Sequence, residues 1–227
     1  MTRGGCEESG QAAPLYIAAV AGLLFLALVF FAFGEADVQR NGAQSAADAA
    51  ALAAAKESRS SLEPDLLAHL ADPDYFDSVF NVPYLGVPGN ACWKASAFAA
   101  LNKAGTVRCR QLSGRWGYAV RVRSGKGVST DIVPGVKGEK AEAEAVAVVE
   151  PRCSFTQEPE DTPTPGSSPD EDTDTDTGTD EDPDPGAPTA PVGKVSCDGG
   201  EEWVVDPEDS ALMPDIADLF SVHLAEN

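Results

Sequence analysis

The chain is short of positive charge and of the residues that usually perform catalysis. Its 227 residues include 16 Lys and Arg against 37 Asp and Glu, and only two His. Because phosphate backbones are bound by clustered Lys and Arg, a net charge of -21 argues against nucleic acid as a partner. The sequence also holds no continuous basic tract for anionic lipid.

Sequence motifs for catalysis are missing as well. The chain has no GxSxG, HExxH, phosphate-loop or GxGxxG motif, and His69 and His223 are isolated from each other. We therefore expect no enzyme and no cofactor. A catalytic pair among the many carboxylates is the enzymatic alternative that composition leaves open.

Cysteine is scarce, with five residues in the chain. No pair has CxxC spacing and both His are remote from the cysteines, so we expect no metal site. An even set of four after Cys6 is typical of disulfides in an oxidising compartment. Four cysteines allow three connectivities, and proximity along the chain favours two pairs: Cys92 with Cys109, and Cys153 with Cys197.

One long apolar run is present, and it carries no charge from Pro14 to Phe33. As a helix rising about 1.5 Å per residue, it would reach the roughly 30 Å of a bilayer's hydrocarbon core. A secretory signal peptide is the alternative, but its core would span only about 7 to 15 residues after a basic segment. We predict a leader at 1–13 and a transmembrane helix at 14–33. The lone Cys6 and the even set after the run indicate a cytoplasmic leader, an extracellular remainder and a single-pass cell-membrane protein.

The stretch 156–191 lacks any aromatic or bulky aliphatic residue and mixes acidic residues with Pro, Gly, Ser and Thr. With nothing apolar to bury, it predicts a disordered acidic linker. Asp172, Asp174 and Asp176 alternate as in an EF-hand loop, but the sixth and twelfth positions lack the required Gly and Glu. We therefore expect at most a weak association of divalent cations with this linker.

The residues after the apolar run are rich in Ala, the strongest helix former, so we expect the helix to continue to about Ser58. Gly42 is its weakest point. Small side chains allow close backbone approach, which indicates tight packing against another subunit, against the chain's own domain, or against both. We expect Ala50→Arg to prevent assembly while the domain stays folded. The candidate assembly residues are Gln44, Ala47, Asp48, Ala50, Ala51 and Ala54.

The rest of the region 34–155 predicts a small α+β domain. Ser61 should cap a helix ending near Leu70, and a second helix should run from Ala95 to Lys103 until Gly105 stops it. From Val107 the pattern alternates between apolar and polar residues, which indicates strands. We predict an antiparallel sheet with strands at 107–112, 118–123, 128–133 and 139–149, covered by the Ala-rich helix.

The tail 192–227 becomes hydrophobic again. Pro214 suits the first turn of a helix that would place Ile216, Leu219 and Phe220 together, and Trp203 marks a second apolar point. These side chains are expected to dock on the chain's own domain or on a partner.

Two segments carry a resemblance to a known family. The sequence GQAAPLYIAAVAGLLFLALVFFAF followed by NGAQSAADAAALAAA resembles the N-terminal region of TadE/TadG-like proteins of the Tad (Flp) pilus system, in particular the TadG-related proteins of actinobacteria. The tail motifs WVVDP and DLFSVHLA are similar to that group too. The resemblance implies a pilin-like fold and a membrane-anchored structural or accessory role, with other Tad/Flp assembly proteins bound through the span and the Ala-rich helix.

Two departures from the family limit what the resemblance implies. Prepilins of the Tad class are cut after a Gly and carry Glu at the fifth mature position, whereas cutting after Gly10 would place Leu15 there. Larger TadG proteins often carry a von Willebrand A domain, but no DxSxS metal motif occurs here. The alternative function is a surface-anchored binding module that the acidic spacer holds away from the membrane.

Overall fold

The computed structural model describes residues 12–86, 89–129, 137–158 and 191–225. The helices are α1 (Ala12–Ser60), α2 (Glu63–Ala68), α3 (Pro73–Phe80), α4 (Cys92–Leu101) and α5 (Ile216–Leu219), with a 3-10 turn at Ser210–Leu212. The strands are β1 (Ala104–Gln111), β2 (Gly117–Ser124), β3 (Glu142–Pro151), β4 (Cys153–Gln157), β5 (Gly193–Cys197), β6 (Glu202–Val205) and β7 (Phe220–Leu224).

Helix α1 runs unbroken for 49 residues, which corresponds to about 73 Å at the α-helical rise. Its sequence is dominated by Ala and Leu, both strong helix formers, and Gly42 does not interrupt it. The predicted continuation of the apolar helix into the Ala-rich segment is therefore confirmed.

The main sheet has four antiparallel strands in the order β1-β2-β3-β7. On β2, Tyr118, Val120 and Val122 are buried, whereas Arg121 and Arg123 point outward and pair with carboxylates of β3. This is the predicted alternation. One face of the sheet is covered by α1, which also contacts α4.

A second, three-stranded antiparallel sheet has the order β4-β5-β6, so the prediction of a single sheet is incomplete. Its middle and last strands come from the tail, and β7 adds a further tail strand to the edge of the main sheet. The predicted domain and tail therefore share one hydrophobic core. Residues 156 and 157, predicted as linker, belong to β4, while 159–190 lie outside the described residues.

Several predicted helix ends are wrong. Ser61 does not cap α2; its hydroxyl donates to the Glu57 carbonyl, and the N-cap residue is Leu62. Helix α4 begins at Cys92 and ends at Leu101, and Gly105 lies inside β1. The reversal occurs at Lys103, whose φ of 59° places it in the left-handed region.

Helix α3 lies between the two predicted helices of the domain, in a stretch for which no helix was predicted. The Asp72 carboxylate caps it by accepting from the Tyr75 amide, and Pro73 lies in its first turn. Phe76, Val79 and Phe80 are buried along one side. The predicted strand at 128–133 lies partly outside the described residues; its described start, Val128, hydrogen-bonds to Glu139 and Gly138.

Candidate functional site

The first half of α1 is an apolar cylinder with no protein packed around it. Leu15 and Phe30 are 73% and 75% exposed, and the large apolar side chains between them are exposed except for the half-buried Val29. Within the described residues, α1 is the one helix long and apolar enough to cross a membrane. Exposed apolar surface on this scale requires a partner or a lipid environment.

The second half of α1 packs on the protein's own domain. Ala47, Ala50, Ala51 and Ala54 are completely buried, and α1 contacts β2, β3 and α4 along this stretch. Because alanine has a short side chain, the helix can lie close to the sheet. Of the two arrangements left open by the sequence, packing on the chain's own domain is the one that the structure shows.

This burial separates the six candidate assembly residues into two groups. The four alanines are not available to another subunit while the domain is folded as described. Gln44 is exposed and Asp48 is half-buried at the edge of the buried face, where the Gln44 amide donates to the Asp48 carboxylate at 2.8 Å. The expectation that Ala50→Arg would leave the domain folded is therefore wrong, because Ala50 has no exposed surface to receive a charge.

A strip of small and polar residues remains accessible on the same half of α1. Asn41, Gly42 and Ser45 are exposed, and Ala49 and Leu52 are half-buried. Ala49 and Leu52 line one wall of a groove of about 420 Å³ between α1 and α4, which we call the α1–α4 groove. Phe98 lines the opposite wall and is partly exposed, and Leu101 one turn further along α4 is 75% exposed.

Two contacts hold the domain against α1 near the end of the apolar half. The Glu35 carboxylate accepts hydrogen bonds from the amide and hydroxyl of Ser129, at 2.9 and 2.5 Å. The Ser124 hydroxyl donates to the Gln39 side-chain oxygen at 3.0 Å. The sequence did not predict these two contacts, because their partners are 85 to 94 residues apart and no sequence pattern marks a serine that makes such a contact.

The two disulfides join the cysteines that proximity favoured. Cys92–Cys109 ties α4 to β1, and Cys153–Cys197 ties β4 to β5. Each bond links two elements that follow the apolar helix in the sequence. The four cysteines after the apolar run therefore form the two predicted disulfides.

The predicted docking residues of the tail lie in the hydrophobic core. Ile216, Leu219 and Phe220 are 5%, 1% and 0% exposed, and Phe220 stacks on Phe80 and meets the edge of Trp116. Trp203 is half-buried against the same core. Pro214 precedes the N-cap Asp215 of α5 rather than lying in its first turn, and the helix lasts four residues before the chain becomes β7.

A polar cluster joins α2 and α3, but its chemistry is structural. The Tyr75 hydroxyl donates to the Asp65 carboxylate, and His69 stacks on the Tyr75 ring. Burial, with the neighbouring Asp65, raises the pKa of Tyr75 well above its ordinary value, and burial raises the pKa of Tyr84. The Tyr75 phenol stays protonated at neutral pH, where it donates its hydrogen bond to Asp65.

The described residues contain no group of His, Cys, Asp and Glu that could hold a metal ion. The alternating aspartates considered for calcium fall in 159–190, outside the described residues. His223 lies exposed on β7, with Glu150 3.7 Å away.

Comparison with known proteins bears on the helix alone. The family model described as "Putative Flp pilus-assembly TadE/G-like" matches residues 10–57, which cover the apolar half of α1 and nearly all of its alanine half. Comparison with curated proteins and with solved structures gives no match. The finer assignment to the actinobacterial TadG-related type stays a prediction. The resemblance seen in the sequence is confirmed for residues 10–57, and this TadE/G-like segment indicates a part in Flp pilus assembly.

Proposed function

We propose that the protein is a membrane-anchored structural or accessory component, minor pseudopilin-like, of a Tad/Flp-type pilus assembly and secretion system. The observation that carries the proposal is the two-part helix α1. Its apolar half projects bare from the domain, and its alanine half forms the spine of that domain. The family match over both halves supports a structural role rather than a catalytic one.

The apolar half would anchor the chain in the cell membrane. It has the length of a bilayer core and carries no charge between Pro14 and Phe33. Each backbone amide inside a continuous helix is satisfied within the helix itself, as a lipid environment demands. The domain would then lie outside the cell, where its two disulfides persist.

Contacts with other Tad/Flp assembly proteins would use the span and the strip of α1 that the domain leaves uncovered. Gly22 and Gly42 have open space where a side chain would project, so a neighbouring helix could approach either position closely. The α1–α4 groove continues this strip with apolar walls from Leu52 and Phe98. Gln44 and Asp48 would lie at the rim of such an interface.

A photoreactive residue placed at Ser45 of the full chain tests this assignment in host membranes. We expect crosslinks to other pilus assembly proteins, identified by mass spectrometry. The matched control carries the same residue at Ser113, in the exposed turn between β1 and β2. Equal crosslinking to unrelated membrane proteins from both positions would contradict the proposed interface.

Intact mass and N-terminal sequencing of the native protein, from membrane and sheared-surface fractions, separate an anchored component from a polymerised subunit. We expect an uncleaved chain confined to the membrane fraction. A chain beginning near Gln11 in the sheared material would overturn the anchored role and indicate a pilin-like subunit.

A further inference from the structure

The domain has a basic cleft immediately above the end of the apolar helix. It is a cavity of about 310 Å³ lined by Val38, Gln39 and Ala43 of α1, by Lys103 at the corner between α4 and β1, and by Lys126 after β2. We call it the lysine cleft. These three segments are far apart in the sequence, so the cleft could not be predicted from a continuous run of basic residues.

Two unpaired ammonium groups define its electrostatics. Among the described residues, no carboxylate lines the lysine cleft. Within the part of the chain that the structure describes, neither Lys103 nor Lys126 has an ion-pair partner. The nearest carboxylates along α1 are Asp37, which is exposed outside the cleft, and Glu35, which accepts from Ser129.

Lys103 adopts a backbone conformation that is unfavourable for a lysine. Its φ of 59° lies in a region that favours Gly and Asn. The Lys103 carbonyl accepts from the Gly125 amide at 2.8 Å, which ties this corner to the end of β2. Backbone conformations of this kind persist where the surroundings impose them, often at binding sites.

The distance from the apolar run places the membrane-proximal end of the cleft at the outer edge of the lipid headgroups. Val38 and Ala43 lie five and ten residues beyond Phe33, hence about 7 to 15 Å past its end at the helical rise. The headgroup zone extends roughly 5 to 8 Å beyond the hydrocarbon core on each side. Lysine can extend its charged end toward that zone along a flexible apolar stem.

We propose that the lysine cleft binds the phosphate of an anionic phospholipid, with Lys103 and Lys126 as charge partners and Gln39, Asn102 and Ser124 as polar neighbours. Val38, which is 71% exposed, would lie beside the lipid headgroup at the outer edge of the bilayer. The inference rests on the proposed membrane anchoring. It adds a lipid class and a site that hold the domain at a defined angle on the bilayer.

Native mass spectrometry of the full chain in neutral detergent tests the site directly. The protein is offered equal amounts of phosphatidylglycerol and phosphatidylcholine with identical acyl chains. We expect phosphatidylglycerol to remain bound preferentially, and Lys103→Asn with Lys126→Gln to weaken it about 30-fold, corresponding to about 1 kcal/mol for each lysine. Asn suits the φ of residue 103, so the fold should survive the change.

Two matched variants make the result specific. Lys56→Gln with Lys194→Gln removes the same charge outside the cleft and should leave the preference intact. Lys103→Arg with Lys126→Arg keeps the charge and should also retain it. Equal binding of the two lipids by the native chain, or an unchanged preference in the Lys103→Asn, Lys126→Gln variant, would overturn the proposal.

Soluble glycerol phosphate distinguishes a lipid site from a general phosphate site. We expect it not to displace the bound lipid at millimolar concentration, and displacement would overturn the lipid assignment. Alkaline extraction of membranes measures the anchoring itself. A chain that resists extraction but shows no lipid preference defeats this inference alone, whereas an extracted chain defeats the proposed anchoring.

Discussion

Ala50 lies on the face of α1 that packs on the domain, and its complete burial leaves no room for a longer side chain. Ala50→Arg should therefore destabilise the domain by at least about 3 kcal/mol, because the guanidinium would be buried without a partner. Chemical denaturation of the full chain in detergent, followed by the fluorescence of its tryptophans, measures the change. Ser45→Arg, on the exposed side of the same helix, should stay within about 0.5 kcal/mol.

The Tyr75 hydroxyl gives a pH dependence with a definite sign. Its pKa is raised in the folded protein, chiefly by burial and then by the bond to Asp65. The folded state thus holds this proton more tightly than the unfolded state, whose tyrosine titrates near pH 10. The stabilisation is complete below about pH 10 and is lost as the pH rises toward the folded value.

Tyr75→Phe should remove that part of the alkaline decline. Denaturation midpoints between about pH 8 and 11 for both proteins isolate it, since lysines titrate equally in each. An identical decline in the variant would show that Tyr75 does not carry the effect.

At the scale of elements, each disulfide closes a loop of stated length. Cys92–Cys109 spans 17 residues and Cys153–Cys197 spans 44. Restriction of the unfolded chain predicts that replacing the first pair by Ser costs about 3 kcal/mol and the second about 4 kcal/mol. Denaturation of the two double-serine variants checks both values. A larger loss from the shorter loop would contradict this account.

Pattern strength decided which elements the sequence could predict. Helix α1 has a long run of strong helix formers, and β2 alternates between apolar residues and arginines from Val120 to Arg123, so both were predicted correctly. Helix α3 was missed although Asp72, Pro73 and the apolar spacing of Phe76 and Phe80 are helix signals, because neighbouring prolines suggested turns. The change from α5 to β7 at Phe220 was not predicted for another reason. Strand β7 forms by pairing with β3, and a local sequence pattern carries no information about that pairing.

At the scale of the whole molecule, labelling of Cys6 measures the orientation of the chain in the membrane. Cys6 lies before the apolar run and outside the two disulfides. A membrane-impermeant maleimide should leave it unlabelled in intact cells and label it after permeabilisation. Ser113→Cys, in the exposed β1–β2 turn, should label in intact cells. The reverse pattern would mean that the domain faces the cytoplasm.

The sequence by itself determined the apolar helix, its continuation through the alanines, the α+β class and the favoured cysteine pairs. These features depend on composition, periodicity and proximity along the chain, which are local properties. Only the tertiary structure decided which side of α1 stays exposed, since that depends on where the sheet docks. It also decided that the tail strands complete the core and that Lys103 and Lys126 share one cleft. Contacts between distant residues depend on how the elements pack, and no local pattern carries that information.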